Sequence, residues 1–230
     1  MITLRAAELV QKADVILYDR LVNKEILAMA RDGAQKIYVG RAVGDDTTHQ
    51  DATNRLMVHH AEAGRDVVRL KGGDPTIFGR GGEEAEYLQA HKIRYEIIPG
   101  ITSGIGSAAY SGIPLTHRQY ASSVAFVTGH EDPTKGEEAV KWEALAGSVD
   151  TIVVMMGLSR IGEICRQLVQ GGMDPKTPVA VIQNGTTPLH RMVTGDLTDI
   201  ADVVGKSGIT PPTNIIIGKV VDLSKEIGWR

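Results

Sequence analysis

Short apolar runs alternate with helix-like stretches along most of the chain. Runs of this kind, rich in Val and Ile and bounded by glycine or polar residues, are typical of buried strands. Strands are predicted at Asp14–Tyr18, Lys36–Val39, Val67–Leu70, Tyr95–Ile98, Val124–Thr128, Thr151–Met156, Val179–Gln183 and Ile215–Val220. Helices are predicted at Asn23–Arg31, Asp51–Ala63, Glu83–His91, Ser103–Ser111 and Ser159–Gln170. Regular alternation of strand and helix favours an α/β fold with largely parallel sheet.

The last part of the chain departs from this simple alternation. Its pattern indicates a mixed sheet, built around Arg191–Gly195, Leu197–Val204 and Asn214–Val221. Earlier, Gly112–Tyr120 interrupts the pattern with glycine, proline and a run of polar residues. We therefore predict two α/β domains, residues 1–113 and 121–230, joined by a linker at about 114–120. Two domains joined in this way would leave a cleft between them.

Composition narrows the class of protein. Hydrophobic residues make up 42% of the chain and charged residues 23%, and no apolar run approaches the ~20 residues that span a bilayer. The net charge of −3 gives no general attraction for nucleic acid. The lone Cys165 excludes an intramolecular disulfide, fits a reducing cytoplasm and is predicted to be a core residue. The histidines, including the adjacent pair His59 and His60, lack metal-ligand spacing, so we expect no metal site.

The segment Val67–Glu84, with the sequence VVRLKGGDPTIFGRGGEE, carries the strongest functional signal. A strand run ends in Gly72-Gly73-Asp74-Pro75, and a second glycine cluster then opens onto a helix-forming stretch. Paired glycines at the end of a strand let the backbone approach a ligand that a Cβ atom would exclude. A turn-forming βα loop is the alternative interpretation, but the two glycine clusters, an acid and a basic residue within one loop favour a small-molecule site.

Several motifs together resemble the tetrapyrrole methylase family, and within it the S-adenosylmethionine-dependent methyltransferases of uroporphyrinogen III. The resemblance runs through nearly the whole chain and rests on YDRLV at 18–22, GGDP at 72–75, PGITS at 99–103, SGIPLTHR at 111–118, MGL at 156–158 and NGT at 184–186. It implies two α/β domains, with the methyl donor and the tetrapyrrole in the cleft between them, and a homodimer in the cytoplasm.

The resemblance also implies residues for the methyl donor, S-adenosylmethionine, and its product S-adenosylhomocysteine. It assigns the methionine and ribose portion to Gly72, Gly73, Asp74 and Ile77. Hydroxyls or amides of Thr102 and Ser103, at a predicted helix start, would reach a carboxylate, although simple N-capping is the alternative. Met156 and Gly185 would hold the adenine, although Met156 alone is also compatible with core packing.

On the acceptor side, the resemblance implies transfer to carbon atoms of uroporphyrinogen III, through precorrin-1 to precorrin-2. Asp19 matches the family's proton acceptor, with helix capping or pairing with Arg20 as alternatives. Arg41 stands where the family has a lysine as proton donor. Because arginine is effectively never deprotonated, it would instead bind a substrate carboxylate. Arg20, His117 and Arg118 complete the candidate basic lining for this polycarboxylate.

Relatives in the family begin earlier, with a strand and a glycine-rich GxGPGDP loop that are missing from this sequence. We therefore expect that the missing central strand exposes two sheet edges and removes part of the ligand site. Two further functions stay open beside uroporphyrinogen methylation. One is methylation of another corrin precursor, and the other is a catalytically impaired binding protein.

A competing motif lies nearby. Gly104-Ile105-Gly106-Ser107-Ala108-Ala109 matches a loose G-x-G-x-x-A dinucleotide fingerprint, and Glu131 follows the next predicted strand. Only two of the three glycines are present and no nicotinamide chemistry is visible. The methyltransferase interpretation is therefore preferred.

Overall fold

The chain divides into two compact units, which we call unit 1 (Met1–Thr102) and unit 2 (Ser103–Arg230). The computed structural model describes residues 1–40, 48–130 and 140–229, apart from the side chains of residues 48 and 49. Strands and helices alternate in both units, which confirms the predicted α/β class. Within the described ranges, no helix is long and apolar enough to cross a membrane.

Unit 1 contains a parallel sheet in the order β2-β1-β3. Its strands are β1 (Val15–Tyr18), β2 (Gln35–Tyr38) and β3 (Val67–Leu70), and its helices are α1 (Leu4–Lys12), α2 (Lys24–Leu27), α3 (Thr48–Glu62) and α4 (Gly81–Ala90). Tyr18 lies level with Tyr38 on one side and Leu70 on the other, so the three strands end together.

Strand β1 is the centre of unit 1 and is buried on both faces. Ile16 packs with Val10 and Ala13 of the α1 segment, whereas Val15 and Leu17 face the opposite way and pack with Met57 of α3. Alternate side chains of a strand point to opposite faces, so a continuous apolar run suits a sheet covered by helices on both sides. This burial explains why the strand was predictable from its sequence.

The predicted strand Tyr95–Ile98 is wrong. The segment is not part of a sheet, and Tyr95 and Ile97 are 44% and 42% exposed. Among the described residues, β3 has a strand neighbour only on its β1 side. The β-forming side chains of 95–98 favour an extended backbone, but a strand also needs a neighbour to receive its hydrogen bonds. The outer side of β3 thus has no strand neighbour among the described residues.

Unit 2 contains a mixed sheet in the order β4-β5-β8-β6-β7, as predicted. Strand β8 is antiparallel to β5 and β6, β7 is antiparallel to β6, and β4 is parallel to β5. The strands are β4 (Val124–Thr128), β5 (Thr151–Met155), β6 (Pro178–Gln183), β7 (Arg191–Asp196) and β8 (Thr213–Ile217). The helices are α5 (Ser103–Tyr110), α6 (Trp142–Ala146), α7 (Ile161–Gln170), α8 (Ile200–Ser207) and α9 (Ser224–Ile227).

The sheet of unit 2 also has an apolar core on each face. On one face, strand residues such as Ile152 and Val181 pack with Trp142 and with Ile164 and Cys165 of α7. Cys165 is 3% exposed, and burial raises the pKa of its thiol to about 11, so it is an unreactive core residue as predicted.

Helix α5 covers the other face of this sheet and explains where the units divide. Its Ala108 packs with Ala180, Ile182 and Ile216. The division at Thr102 and Ser103 therefore falls before α5, whereas the sequence pattern places the linker after that helix, at 114–120. Amphipathic periodicity identifies a helix but does not say which sheet it covers.

Candidate functional site

The carboxyl end of the unit 1 sheet gathers the first group of candidate residues. Asp19 and Arg20 follow β1 directly, and the glycine-rich loop at 72–80 follows β3. Because β1 and β3 are parallel and end level with each other, both segments lie at the carboxyl end of the sheet. Ligand sites of open α/β sheets form at this end.

Asp74 braces the glycine-rich loop from within. Its Oδ1 accepts hydrogen bonds from the Thr76 amide at 2.8 Å, the Thr76 hydroxyl at 2.7 Å and the Ile77 amide at 3.2 Å. Its Oδ2 accepts from the Gly100 amide at 2.9 Å. Burial alone would raise the pKa of Asp74, but these hydrogen bonds outweigh it and hold the pKa below 3.8. The carboxylate therefore orders two segments of unit 1.

The backbone of this loop is tightly constrained. Gly73 has φ +83°, and a Cβ atom on Gly100 would lie only 2.1 Å from the Gly73 carbonyl oxygen. Phe78 and Arg80 also have positive φ, at 53° and 59°, which is uncommon for residues other than glycine. Side chains of Ile77 and Phe78 are 38% and 42% exposed. Strained backbone with exposed apolar side chains is typical of a ligand-binding loop.

Asp19 is held at the end of β1 by two contacts. Its Oδ1 accepts a hydrogen bond from the Leu21 amide at 3.1 Å, and its Oδ2 lies 3.6 Å from Nη2 of Arg69. The cap of α2 is Asn23, whose side chain accepts from the Glu25 amide at 2.8 Å. Helix capping by Asp19 and pairing with Arg20 are therefore both wrong, and the carboxylate points toward β3.

A buried charged cluster beside Asp19 was missed by the sequence analysis. Arg69 and Lys71 both contact Glu84 of α4, and the side chains of the three are 15%, 9% and 6% exposed. Two basic residues flanking Leu70 at the end of an apolar strand were the available signal. Residues two apart in a strand share a face, so Arg69 and Lys71 would be expected to meet a common acid.

A second group of candidate residues follows the carboxyl ends of strands in unit 2. Strands β4, β5 and β6 run in the same direction, so Met156 after β5 and Gly185 after β6 lie at the same edge. Met156 is 51% exposed with φ +57°, which rules out core packing. Asn184 and Thr186 have φ +49° and +69°. A positive φ at a β-branched residue is a genuine outlier and marks a constrained, functional loop.

Helix α5 is tied to this edge by hydrogen bonds. Ser103 Oγ donates to Asn214 Oδ1 at 3.2 Å, and Asn214 Nδ2 donates to Ser107 Oγ at 2.8 Å. A Cβ atom on Gly185 would lie 2.5 Å from Ser107 Oγ, so only glycine fits there. Asn214 and Ser107 were missed by the sequence analysis, because only the fold brings β8 next to α5. Thr102, at the end of unit 1, is 4% exposed.

The dinucleotide fingerprint is overturned by the structure. Gly104 and Gly106 lie inside α5, whereas fingerprint glycines form the turn that precedes a helix. A Cβ atom on Gly104 would lie 2.8 Å from Phe126 and Val153, so this glycine permits close packing of helix and sheet. The acid that the fingerprint requires, Glu131, lies outside the described residues.

The remaining candidates are basic residues. Arg20 and Arg118 are exposed. His117 stacks on Tyr120 with ring centroids 4.9 Å apart, and its Nδ1 accepts a hydrogen bond from the Gln119 amide at 3.2 Å. Arg41 lies outside the described residues. The structure thus leaves the basic lining of the acceptor site as a prediction.

Comparison with protein families identifies one family. The family model of tetrapyrrole (corrin/porphyrin) methylases matches residues 1–201 of this chain. The resemblance noted in the sequence is confirmed by this match.

Individual relatives agree with the family match. The chain is 49% identical over 224 residues to the uroporphyrinogen-III C-methyltransferase of Priestia megaterium, covering 97% of this chain and 94% of the relative. It is also 49% identical over 230 residues to the siroheme synthase of Nitrosomonas europaea, covering 100% of this chain. The chain spans about half of that second relative, 48% of its length.

A solved structure shares the fold. The chain superposes with a TM-score of 0.80 and 39% identity on the uroporphyrin-III C-methyl transferase from Thermus thermophilus complexed with S-adenyl homocysteine. The match covers 96% of this chain and 92% of that chain.

Proposed function

The chain belongs to the tetrapyrrole (corrin/porphyrin) methylase family, and from that membership we propose that it is an S-adenosylmethionine-dependent C-methyltransferase. Its substrate is uroporphyrinogen III, which it converts through precorrin-1 to precorrin-2 on the route to sirohaem or cobalamin. Relatives of nearly equal length carry the corresponding name, and a solved relative holds the demethylated donor.

The observation that carries this proposal is the braced glycine-rich loop after β3. Asp74 ties the loop to Gly100, and Gly72 and Gly73 have no side chains that would shield the backbone from a ligand. Asp74 already accepts four hydrogen bonds, so its main contribution is to order the loop. Backbone groups of the loop and the side chain of Ile77 then contact the methionine and ribose portion of the donor.

Unit 2 supplies residues suited to the adenine. Met156 is exposed at the end of β5, and Gly185 follows β6 at the same end of the sheet. A thioether side chain is polarisable and adapts well to an aromatic ring. Thr102 and Ser103 are assigned to the donor as well, although the Ser103 hydroxyl also serves to hold Asn214.

The donor supplies an electrophilic methyl group, and the protein's task is to position the acceptor carbon and remove a proton. Asp19 is the proton acceptor: it lies at the carboxyl end of β1 and is partly exposed, with 26% of its side chain accessible. Arg20, Arg41, His117 and Arg118 bind substrate carboxylates, for which the arginine fork is well suited. A homodimer working in the cytoplasm completes the proposal.

Two measurements test the proposal. Calorimetric titration with S-adenosylhomocysteine measures donor-site binding. Anaerobic incubation with methyl-labelled S-adenosylmethionine and uroporphyrinogen III, followed by mass spectrometry, measures transfer. We expect saturable binding and a product carrying two labelled methyl groups, with Asp19→Asn as a control that binds the donor but transfers slowly.

Each other outcome identifies a different function. Donor binding without transfer to any tetrapyrrole would indicate the impaired binding protein. Transfer only to a later corrin precursor would indicate the other methylase. An absence of donor binding by the folded protein would overturn the proposal.

A further inference from the structure

The charged cluster of unit 1 consists of Arg69, Lys71, Glu84 and Gln50. The first two and Gln50 all contact the carboxylate of Glu84. Glu84 Oε1 accepts hydrogen bonds from Arg69 Nε at 3.1 Å, Lys71 Nζ at 2.9 Å and Gln50 Nε2 at 3.1 Å. Lys71 Nζ also lies 3.1 Å from Glu84 Oε2. Both carboxylate oxygens of Glu84 are therefore engaged.

Arg69 connects this carboxylate to the active-site edge. While its Nε donates to Glu84, its Nη1 donates to the main-chain carbonyls of Leu17 at 3.4 Å and Leu70 at 3.0 Å. Its Nη2 lies 3.6 Å from Asp19 Oδ2. One planar guanidinium thus spans β1, β3 and α4 and joins two acids. A lysine could not do this, because a single ammonium lacks the rigid fork of donors.

The cluster is balanced in charge and largely buried. Arg69 and Lys71 carry two positive charges against the two negative charges of Glu84 and Asp19. Burial, together with Arg69, lowers the pKa of Lys71, while Glu84 opposes that shift. Buried charges are expensive to maintain, and an apolar core would serve folding equally well. The arrangement therefore points to a role besides stability.

We propose that Glu84 and Arg69 are positioning residues that fix the carboxylate of Asp19 at the end of β1 for its part in the reaction. Glu84 orients the guanidinium of Arg69 from the side of α4, and Arg69 in turn orients Asp19. Lys71 neutralises Glu84 and anchors the backbone immediately before Gly72. This inference rests on the proposed function, in which Asp19 accepts a proton from the methylated macrocycle.

A double-mutant cycle tests the proposal on the full chain. Glu84→Gln keeps the shape of the side chain but removes its charge, and we expect kcat for methyl transfer to fall by about tenfold or more. Donor affinity and the KM for uroporphyrinogen III should stay within about twofold of wild type. In an Asp19→Asn background the same substitution should have little further effect on kcat, because residues that act through one another are not additive.

Three further variants make the test decisive. Glu86→Gln removes an exposed charge from the same helix and should leave kcat unchanged. Glu84→Asp should restore part of the lost rate. If Glu84→Gln does not fold, Arg69→Lys is used in its place, since it keeps the buried positive charge but cannot reach both acids.

The outcomes separate this inference from the proposed function. The inference would be overturned if Glu84→Gln lowered kcat by the same factor in the wild-type and in the Asp19→Asn background. It would also be overturned if Glu84→Gln lowered only the thermal stability and left kcat unchanged. An active wild type with an unaffected Asp19→Asn variant would also overturn it. Failure of the wild type to methylate any tetrapyrrole would instead overturn the proposed function.

Discussion

The carboxylate of Asp74 shows how one residue can order the glycine-rich loop after β3. Its four hydrogen bonds hold two residues of the loop, Thr76 and Ile77, and the distant Gly100. Sequence reasoning treats this acid as a direct ligand for the donor. The geometry gives it a structural task first, because a carboxylate with four donors around it has little capacity left for a ligand.

We expect Asp74→Ala to weaken binding of S-adenosylhomocysteine by about 1–3 kcal/mol, since three backbone amides lose their charged acceptor and the loop relaxes. Isothermal titration calorimetry measures the change. Asp150→Ala is the matched control. Asp150 likewise accepts from the Ser122 and Ser123 amides, at 2.8 and 3.0 Å, but lies at the opposite end of β5 from Met156. Unchanged affinity in folded Asp74→Ala would exclude a role for this loop in donor binding.

Asp19→Asn should affect turnover far more than donor binding. The amide keeps the size of the side chain and can still accept from the Leu21 amide, but it has no basicity and no ion pair with Arg69. We expect methyl transfer to fall by ~100-fold or more, the usual contribution of a positioned base. Steady-state rates and donor titration check the two halves of this prediction. A near-wild-type rate would assign the proton to water or to the substrate itself.

Among the elements of unit 1, strand β1 and the segment Tyr95–Ile98 differ most in cover. Strand β1 is paired on both sides and fully buried over Val15–Leu17, whereas Tyr95–Ile98 lies outside any sheet and exposes Tyr95 and Ile97. Backbone amides without a partner and without cover exchange through small local openings.

Hydrogen exchange should reveal this difference directly. We expect the amides of Tyr95–Ile98 to exchange about 100-fold faster or more than those of β1, with β8 in unit 2 as a slow internal reference. Mass spectrometry of proteolytic fragments resolves the three segments. Protection of Tyr95–Ile98 equal to that of β1 would mean that a partner strand covers it in solution.

For the molecule as a whole, carboxylates that accept several hydrogen bonds contribute to the response to acid. The Thr198 hydroxyl and Lys176 hold the pKa of Asp196 at about 2, and the Ser123 hydroxyl and Ser122 amide lower the pKa of Asp150. Hydrogen bonds lower the pKa of Asp74 in spite of its burial. Because these values lie below 3.8, the unfolded chain binds protons before the folded chain does.

The free energy of unfolding should therefore fall as the pH drops from about 5 toward 2, and the stabilisation by these groups should be fully present above that window. His60 acts in the same direction near its ordinary pKa of 6.5, because burial lowers the pKa of its folded form. Urea unfolding at a series of pH values measures the trend. Asp196→Asn removes one titrating group and should flatten the acid limb. An identical slope in that variant would show that Asp196 does not contribute.

Most of the elements, and the family, follow from the amino-acid sequence alone. Strands such as Val67–Leu70 and Val124–Thr128 were predicted with their observed bounds, because short runs rich in Val and other β-forming residues favour a strand. The glycine-rich loop was found because its backbone geometry tolerates few other residues. A site formed by one short segment can be recognised from the residues of that segment.

Relations between segments far apart in the chain come from the tertiary fold. Tyr95–Ile98 has the composition of a strand, but pairing depends on a neighbour that its own residues cannot specify. Helix α5 joins unit 2 through contacts with strands far along the chain. Asp19 points to Arg69 rather than Arg20 because parallel pairing sets β3 beside β1, and Glu84 completes the cluster from α4. Side-chain partners across strands follow from register, which no local pattern contains.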